Sequence, residues 1–368
     1  LVNLNRFWLN LEFWAKFLLG RLDKKRDVKI LRNSFIWVTV LGLVASCGEE
    51  ENPFPPGPGP DGDITFGIRG DLDLSDYERV ARNDAPYNTS EYPDFSPVVS
   101  FVYSINGSDE YDFVASGVLI SPDWILSAGH NFFVSDDQSS PAPESGIRAV
   151  YGDDPNNEDN YLEVEEVIYF PTWLEDDDIF GKANDFCLVR LKEPLNGITP
   201  AKMLTTESEP LNTLVWACGF GDYSQEPGQD PDFYSLKHAT SSILDRVVGG
   251  ITSSSSAGTF TGGLLAVDFD SPSGQINTLG DDYISPDEPL LGTGTSSPTV
   301  TEFEAGAVQG DSGGPLFVRG NGEWLVAGIL SGSAEEPFIG HVGNSYGEID
   351  IYTRVSLAYD WINEVTGL

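Results

Sequence analysis

A serine framed by glycines lies in the run Gly310-Asp311-Ser312-Gly313-Gly314-Pro315. Glycine at 310, 313 and 314 lets the backbone bend sharply and approach another group closely. The amides of Gly310 and Ser312 are then placed to converge on one point, which is how a developing oxyanion is stabilised. A hydroxyl nucleophile needs a base, and the base needs a carboxylate to orient it. The histidines are His130, His238 and His341. His130 closes the run Ser127-Ala128-Gly129-His130, and Asp185 stands just before the apolar run Phe186 to Leu191. Each has a plain structural reading alone: a tight turn at 310–314, a core histidine, a strand-end cap. In the order His130, Asp185, Ser312 they supply a base, an orienting acid and a nucleophile for acyl transfer.

Run by run, these segments resemble trypsin-like serine proteases of the chymotrypsin fold, the S1 family. Gly310 to Pro315 resembles that family's nucleophile loop. Gly117 to His130 resembles the strand-turn-strand leading to its catalytic histidine, with Ala-Gly-His where Ala-Ala-His is usual. Asn184-Asp185-Phe186-Cys187-Leu188-Val189 resembles its Asn-Asp-Ile-Ala-Leu-Leu run. Asp350 to Val355, followed by Tyr359-Asp360-Trp361-Ile362, resembles its last strand and closing helix. The chain order is that of chymotrypsin, not of subtilisin or the α/β-hydrolases.

The resemblance covers most of residues 80–368 and implies an all-β fold. Two six-stranded antiparallel barrels with a C-terminal helix would hold the active site between them. It implies a serine endopeptidase acting on protein or peptide substrates through an acyl-enzyme, with basic or broad preference at the residue before the cut. A non-catalytic binding module on the same fold and a serine esterase are the alternatives. The oxyanion donors would be the Gly310 and Ser312 amides. Gly306 would floor the specificity pocket, with Ser331, Gly332 and Ser333 on its walls. Asp350 falls where the family has a small wall residue, so it is either a replacement for a floor acid or a solvated strand-end charge.

Activation in the family buries a new N-terminal ammonium against the aspartate before the serine, here Asp311. Val80, after Arg79, is the best-placed new terminus, although Val80-Ala81-Arg82-Asn83 replaces the usual Ile-Val-Gly-Gly. An internal cation such as Arg82 is the alternative partner. No cofactor is required. The acidic run Gly152 to Asn160 occupies the place of the family's calcium loop, where Asp153 and Glu158 would be the oxygen ligands of a structural Ca²⁺. A calcium-free acidic loop is the other reading.

The elements that must position these residues are short and turn-bounded. Strands are expected at 98–103, 113–120, 124–127, 147–151, 162–169 and 186–191 for the first half. The second half would use 214–219, 235–243, 263–269, 315–319, 324–330 and 348–352. Apolar residues at 355, 357, 358, 361, 362 and 365 predict an amphipathic helix. Residues 134–146, 174–183, 222–232 and 252–300 read as insertions forming surface loops. Cys187 and Cys218 read as buried free thiols, a bond between them being the alternative.

The balance of 20 basic against 58 acidic residues gives a net charge of −38. Such a surface repels nucleic acid and anionic membranes. The basic stretch Lys24 to Arg32, then an apolar run from Phe35 to Ala45, fits an export signal. Val44-Ala45-Ser46-Cys47 resembles the bacterial lipoprotein box, which would lipidate Cys47 and tether the protein to a membrane. The expected organisation is an N-terminal extension and signal (1–47), a Pro/Gly-rich acidic linker or pro-segment (48–79) and a protease domain (80–368). The protein would be exported, as an outer-membrane or surface lipoprotein or in periplasmic or secreted form, and monomeric.

Overall fold

The computed structural model describes residues 67–104, 114–133, 141–173, 183–223, 236–280, 291, 296–334, 341 and 343–368. The signal segment and Cys47 lie outside them. The first half is a closed barrel in the order β1-β2-β3-β6-β5-β4. Its strands are β1 (Val98–Tyr103), β2 (Val114–Ser121), β3 (Trp124–Ser127), β4 (Ile147–Val150), β5 (Tyr161–Tyr169) and β6 (Cys187–Leu191). β-branched and aromatic residues fill its interior: Val99, Phe101, Leu119, Ile125, Phe132, Ile147 and Val189 are all fully buried.

The second half departs from the six strands expected. It is a seven-stranded sheet ordered β8-β7-β11-β12-β13-β10-β9. Its strands are β7 (Leu214–Gly219), β8 (His238–Ile243), β9 (Arg246–Ser255), β10 (Gly258–Asp268), β11 (Pro315–Gly320), β12 (Glu323–Ala334) and β13 (Ile349–Arg354). The extra strand is β9, which pairs antiparallel with β10 from Ser255↔Gly258 to Arg246↔Ala266. Much of the stretch read as a 252–300 surface loop is therefore sheet.

Two helices frame the body. Helix α2 (Val355–Thr366) buries Val355, Ala358 and Ile362, one face at helical spacing, and stops at Gly367 in the left-handed region at φ 74°. Helix α1 (Leu74–Ala81) was not foreseen. It buries Tyr77, Val80 and Ala81 in a core shared with Phe95, Trp216, Phe220 and Phe303. The segment before it is part of the same body. Ile68 bridges to Ala305, and the Gly306 amide donates to the Gly67 carbonyl at 2.8 Å. A domain boundary at residue 80 would cut α1 and expose Tyr77 and Val80. The folded unit accordingly includes the described residues from Gly67 onward.

Candidate active site

Register explains how His130 and Asp185 meet. β3 and β6 are antiparallel, with Ser127 opposite Cys187. His130 lies three residues past the end of β3 and Asp185 two before the start of β6, so both leave the barrel at the same rim. The Asp185 carboxylate is fully buried. It accepts the His130 amide on Oδ1 at 3.0 Å, and its Oδ2 lies 2.7 Å from His130 Nδ1. Facing a carboxylate, Nδ1 carries the proton, which leaves Nε2 to act as a base.

Gly129 explains the departure from Ala-Ala-His. A Cβ there would meet Trp173 Nε1 at 2.8 Å, so the indole fills the space of an alanine methyl.

Ser331, expected on the pocket wall, has another task. It is the extra residue of a β-bulge on β12, where pairing with β13 shifts between Leu330 and Gly332. Bulges re-aim side chains, and this one sends the Ser331 hydroxyl to Asp185 Oδ2 at 2.7 Å.

The serine loop enters directly from β11. The Gly313 amide donates to Leu330 O and the Leu330 amide to Gly314 O, both at 2.9 Å, extending the β11–β12 ladder up to the nucleophile. Gly310 and Gly313 flank Ser312 at φ 104° and 85°, a region that favours glycine. The Ser312 carbonyl accepts the Ser116 amide and Asn131 Nδ2, each at 2.9 Å. Asn131 adjoins His130 and Ser116 lies on β2, so the first barrel grips the serine loop of the second sheet. Ser116 Oγ adds a bond to Gly310 O at 2.8 Å. Neither Ser116 nor Asn131 stood out in the sequence, since both act through backbone atoms far away in the chain.

The amides expected to form the oxyanion hole are those of Gly310 and Ser312. The Gln309 carbonyl accepts the Asp222 amide at 2.8 Å. In a planar trans peptide this turns the Gly310 N–H the opposite way. Among the described residues no protein acceptor takes the Gly310 or Ser312 amide.

Asp350, read either as a pocket acid or as a solvated strand-end charge, is buried and meets the residue after Gly306. Asp350 Oδ2 accepts the amide of Ala307, the neighbour of Gly306, at 2.9 Å, and Oδ1 accepts Ser333 Oγ at 2.9 Å. Burial pushes the Asp350 carboxyl up to about 7, against those two hydrogen bonds, which favour its charged form. Gly332 lies beside them in β12.

Other expectations fare differently. Val80 is fully buried within α1, and Arg82 pairs with Glu78 and Asp84. Asp311 is met instead by His238, Tyr223 and two backbone amides. Asp153, one of the expected calcium ligands, faces the buried Lys237 ammonium at 3.6 Å. Among the described residues no group of three or more His, Cys, Asp or Glu is able to hold a metal ion. Cys187 and Cys218 are free, buried thiols, both pushed up by burial.

A sequence model described as Trypsin matches residues 89–277 and 287–362. The chain is 26% identical to a protein named Tryptase from Mus musculus over 269 residues, which is 71% of this chain and 81% of that protein. A stretch of 84 residues is 38% identical to Complement C1s-1 subcomponent from Mus musculus, covering 22% of this chain and 12% of that protein.

Proposed function

The chain belongs to the trypsin family and is a serine-type endopeptidase; from that premise we propose that His130, Asp185 and Ser312 carry its chemistry. The hydrogen bond of 2.7 Å between His130 Nδ1 and a buried Asp185 carries the reading, because it fixes the tautomer that makes Nε2 a base. Ser312 Oγ attacks the amide carbonyl as His130 takes its proton. Asp185 stabilises the imidazolium that results. The Gly310 and Ser312 amides receive the oxyanion, each donor being worth about 3 kcal/mol. His130 then gives the proton to the leaving amine, the peptide bond breaks, and water releases the acyl group by the same steps in reverse order of roles.

Asp350 in the pocket, beside the bare Gly306, supports a preference for Arg or Lys before the scissile bond. The run ending in Cys47 supports export as a lipoprotein. Metabolic labelling with an alkyne fatty acid checks this: the parent should take up label and Cys47→Ala should not.

The mechanism is tested with a fluorophosphonate probe on the full chain. The parent should label and Ser312→Ala should not; labelling that survives Ser312→Ala would remove Ser312 from the mechanism.

A further inference from the structure

His238 is a histidine the hydrolytic steps leave unused, and it is 1% exposed. Its ring nitrogens both face acceptors. Nδ1 lies 3.2 Å from the Leu236 carbonyl, and Nε2 lies 2.9 Å from Asp311 Oδ1. A carbonyl oxygen only accepts. The Asp311 carboxylate already accepts the Gly221 amide on Oδ1 at 2.9 Å and the Val308 amide on Oδ2 at 3.1 Å. With acceptors on both sides, both ring nitrogens are placed to donate, which is the hydrogen-bonding pattern of an imidazolium.

The surroundings are built for this pair. Gly219 and Gly221 are bare where a Cβ would overlap the Asp311 carboxylate. The Tyr223 ring stands edge-on to His238 at 4.3 Å, and its hydroxyl lies 3.1 Å from Asp311 Oδ2. Cys218, Asp350 and Tyr352 are the remaining titratable groups around the small cavity that His238 and Asp311 share. Lys237, one residue earlier, points to the other face, towards the Phe95 carbonyl and Asp153. His238 is therefore the basic side chain that meets Asp311. A buried carboxylate stripped of its counter-charge is strongly unfavourable.

Asp311 is also the hub of the oxyanion loop. Its amide donates to Val308 O at 3.0 Å and its carbonyl accepts the Gly314 amide at 2.8 Å. With Val308 bound to the carboxylate as well, residues 308–314 wrap around this one side chain. Fixing the carboxylate fixes the peptide planes of Gly310 and Ser312.

We propose that His238 is a positioning residue for hydrolysis: an internal cation that holds Asp311, and through it the oxyanion loop. The proposal rests on Ser312 being the nucleophile. No new N-terminus is needed to complete the site.

Two measurements test it on the full chain. With histidine labelled by ¹⁵N, the His238 ring should show two protonated nitrogens at pH 7, a signal that His238→Gln removes. A neutral ring there overturns the proposal, whatever the activity. In kinetics, His238→Gln should lower kcat about a hundredfold, the size of losing one oxyanion donor. KM should change less than kcat, because the loss falls on the oxyanion donors rather than on ground-state binding. His238→Lys should recover at least tenfold of that loss, and mass spectrometry of the active parent should show Arg79 and Val80 still joined. A folded His238→Gln that labels with fluorophosphonate at the parental rate overturns the proposal, as does activity found only after cleavage near Val80. If Ser312→Ala still labels, the nucleophile assignment fails, and the ring signal still decides the charge on His238.

Discussion

At the residue scale, the base is held by more than its acid. The Ser331 hydroxyl is one of the donors that fix Asp185. Ser331→Ala removes a bond to a charged group worth about 1.5 kcal/mol, so kcat/KM should fall roughly tenfold with the fold intact by circular dichroism. Asp350 gives a prediction in pH. Its carboxyl, raised to about 7, is neutral below that value and anionic above it. The ratio of kcat/KM for matched Arg and Leu substrates cancels the contribution of His130. It should rise about tenfold between pH 6 and 8, and Asp350→Asn should flatten it. At Gly129, alanine would push on Trp173; thermal unfolding should show a loss of about 1–3 kcal/mol, as overpacking does. The proposed nucleophile, base and acid were legible as candidates because chemistry restricts their residue types and glycines announce the turn. His238 and Ser331 were not. Their partners lie 73 and 146 residues away, and local sequence carries no trace of such pairings.

At the scale of elements, the unexpected hairpin of β9 and β10 reaches the site. Asn184, next to Asp185, donates to Ser253 Oγ on β9 at 2.8 Å and to Thr172 Oγ1 at 3.0 Å. Phe260 on β10 packs against Phe170 at 4.6 Å. The hairpin thus braces the turn that carries the orienting acid. Ser253→Ala should leave a buried Asn184 donor unmet, at a cost of about 1–3 kcal/mol, and lower kcat more than it raises KM. The first barrel was readable because its strands alternate or run apolar. Residues 251–261 have neither pattern, and cross-strand hydroxyl pairs hold them, Thr252 with Thr261 and Ser254 with Thr259. Such a ladder reads as a polar loop until its partner strand is known. Helix α1 was hidden for a different reason: it is only eight residues long, and its apolar face is Leu74, Tyr77, Val80 and Ala81.

At the scale of the whole molecule, the acidic excess is not confined to the surface. Asp245, Asp268, Asp270 and Glu304 are all buried, and burial pushes their carboxyls up, Glu304 to about 7. These groups stay protonated in the folded protein where the unfolded chain, near pH 4, already releases its protons. Folding then takes up protons, so stability is fully present at low pH and is lost as pH rises towards the native values. The melting temperature should fall between pH 5 and 8. Asp270→Asn should make that fall shallower, and 0.5 M salt should not, because salt screens exposed charges far more than buried ones. The same scarcity of cations bears on the enzyme's own survival. A protease with the proposed preference for Lys or Arg is a threat to every copy of itself. Nicking favours exposed, mobile loop tips. Here Arg79 lies inside α1, and Arg148, Arg190, Arg246, Arg319 and Arg354 lie inside strands β4, β6, β9, β11 and β13. The bond first expected to be this chain's activation point is wound into a helix whose Tyr77 and Val80 are fully buried. Lys192 and Lys202 are the exceptions, exposed and outside helix and strand, so in concentrated stocks of the purified enzyme self-cleavage within the described body should begin there and spare helix α1 and the strands.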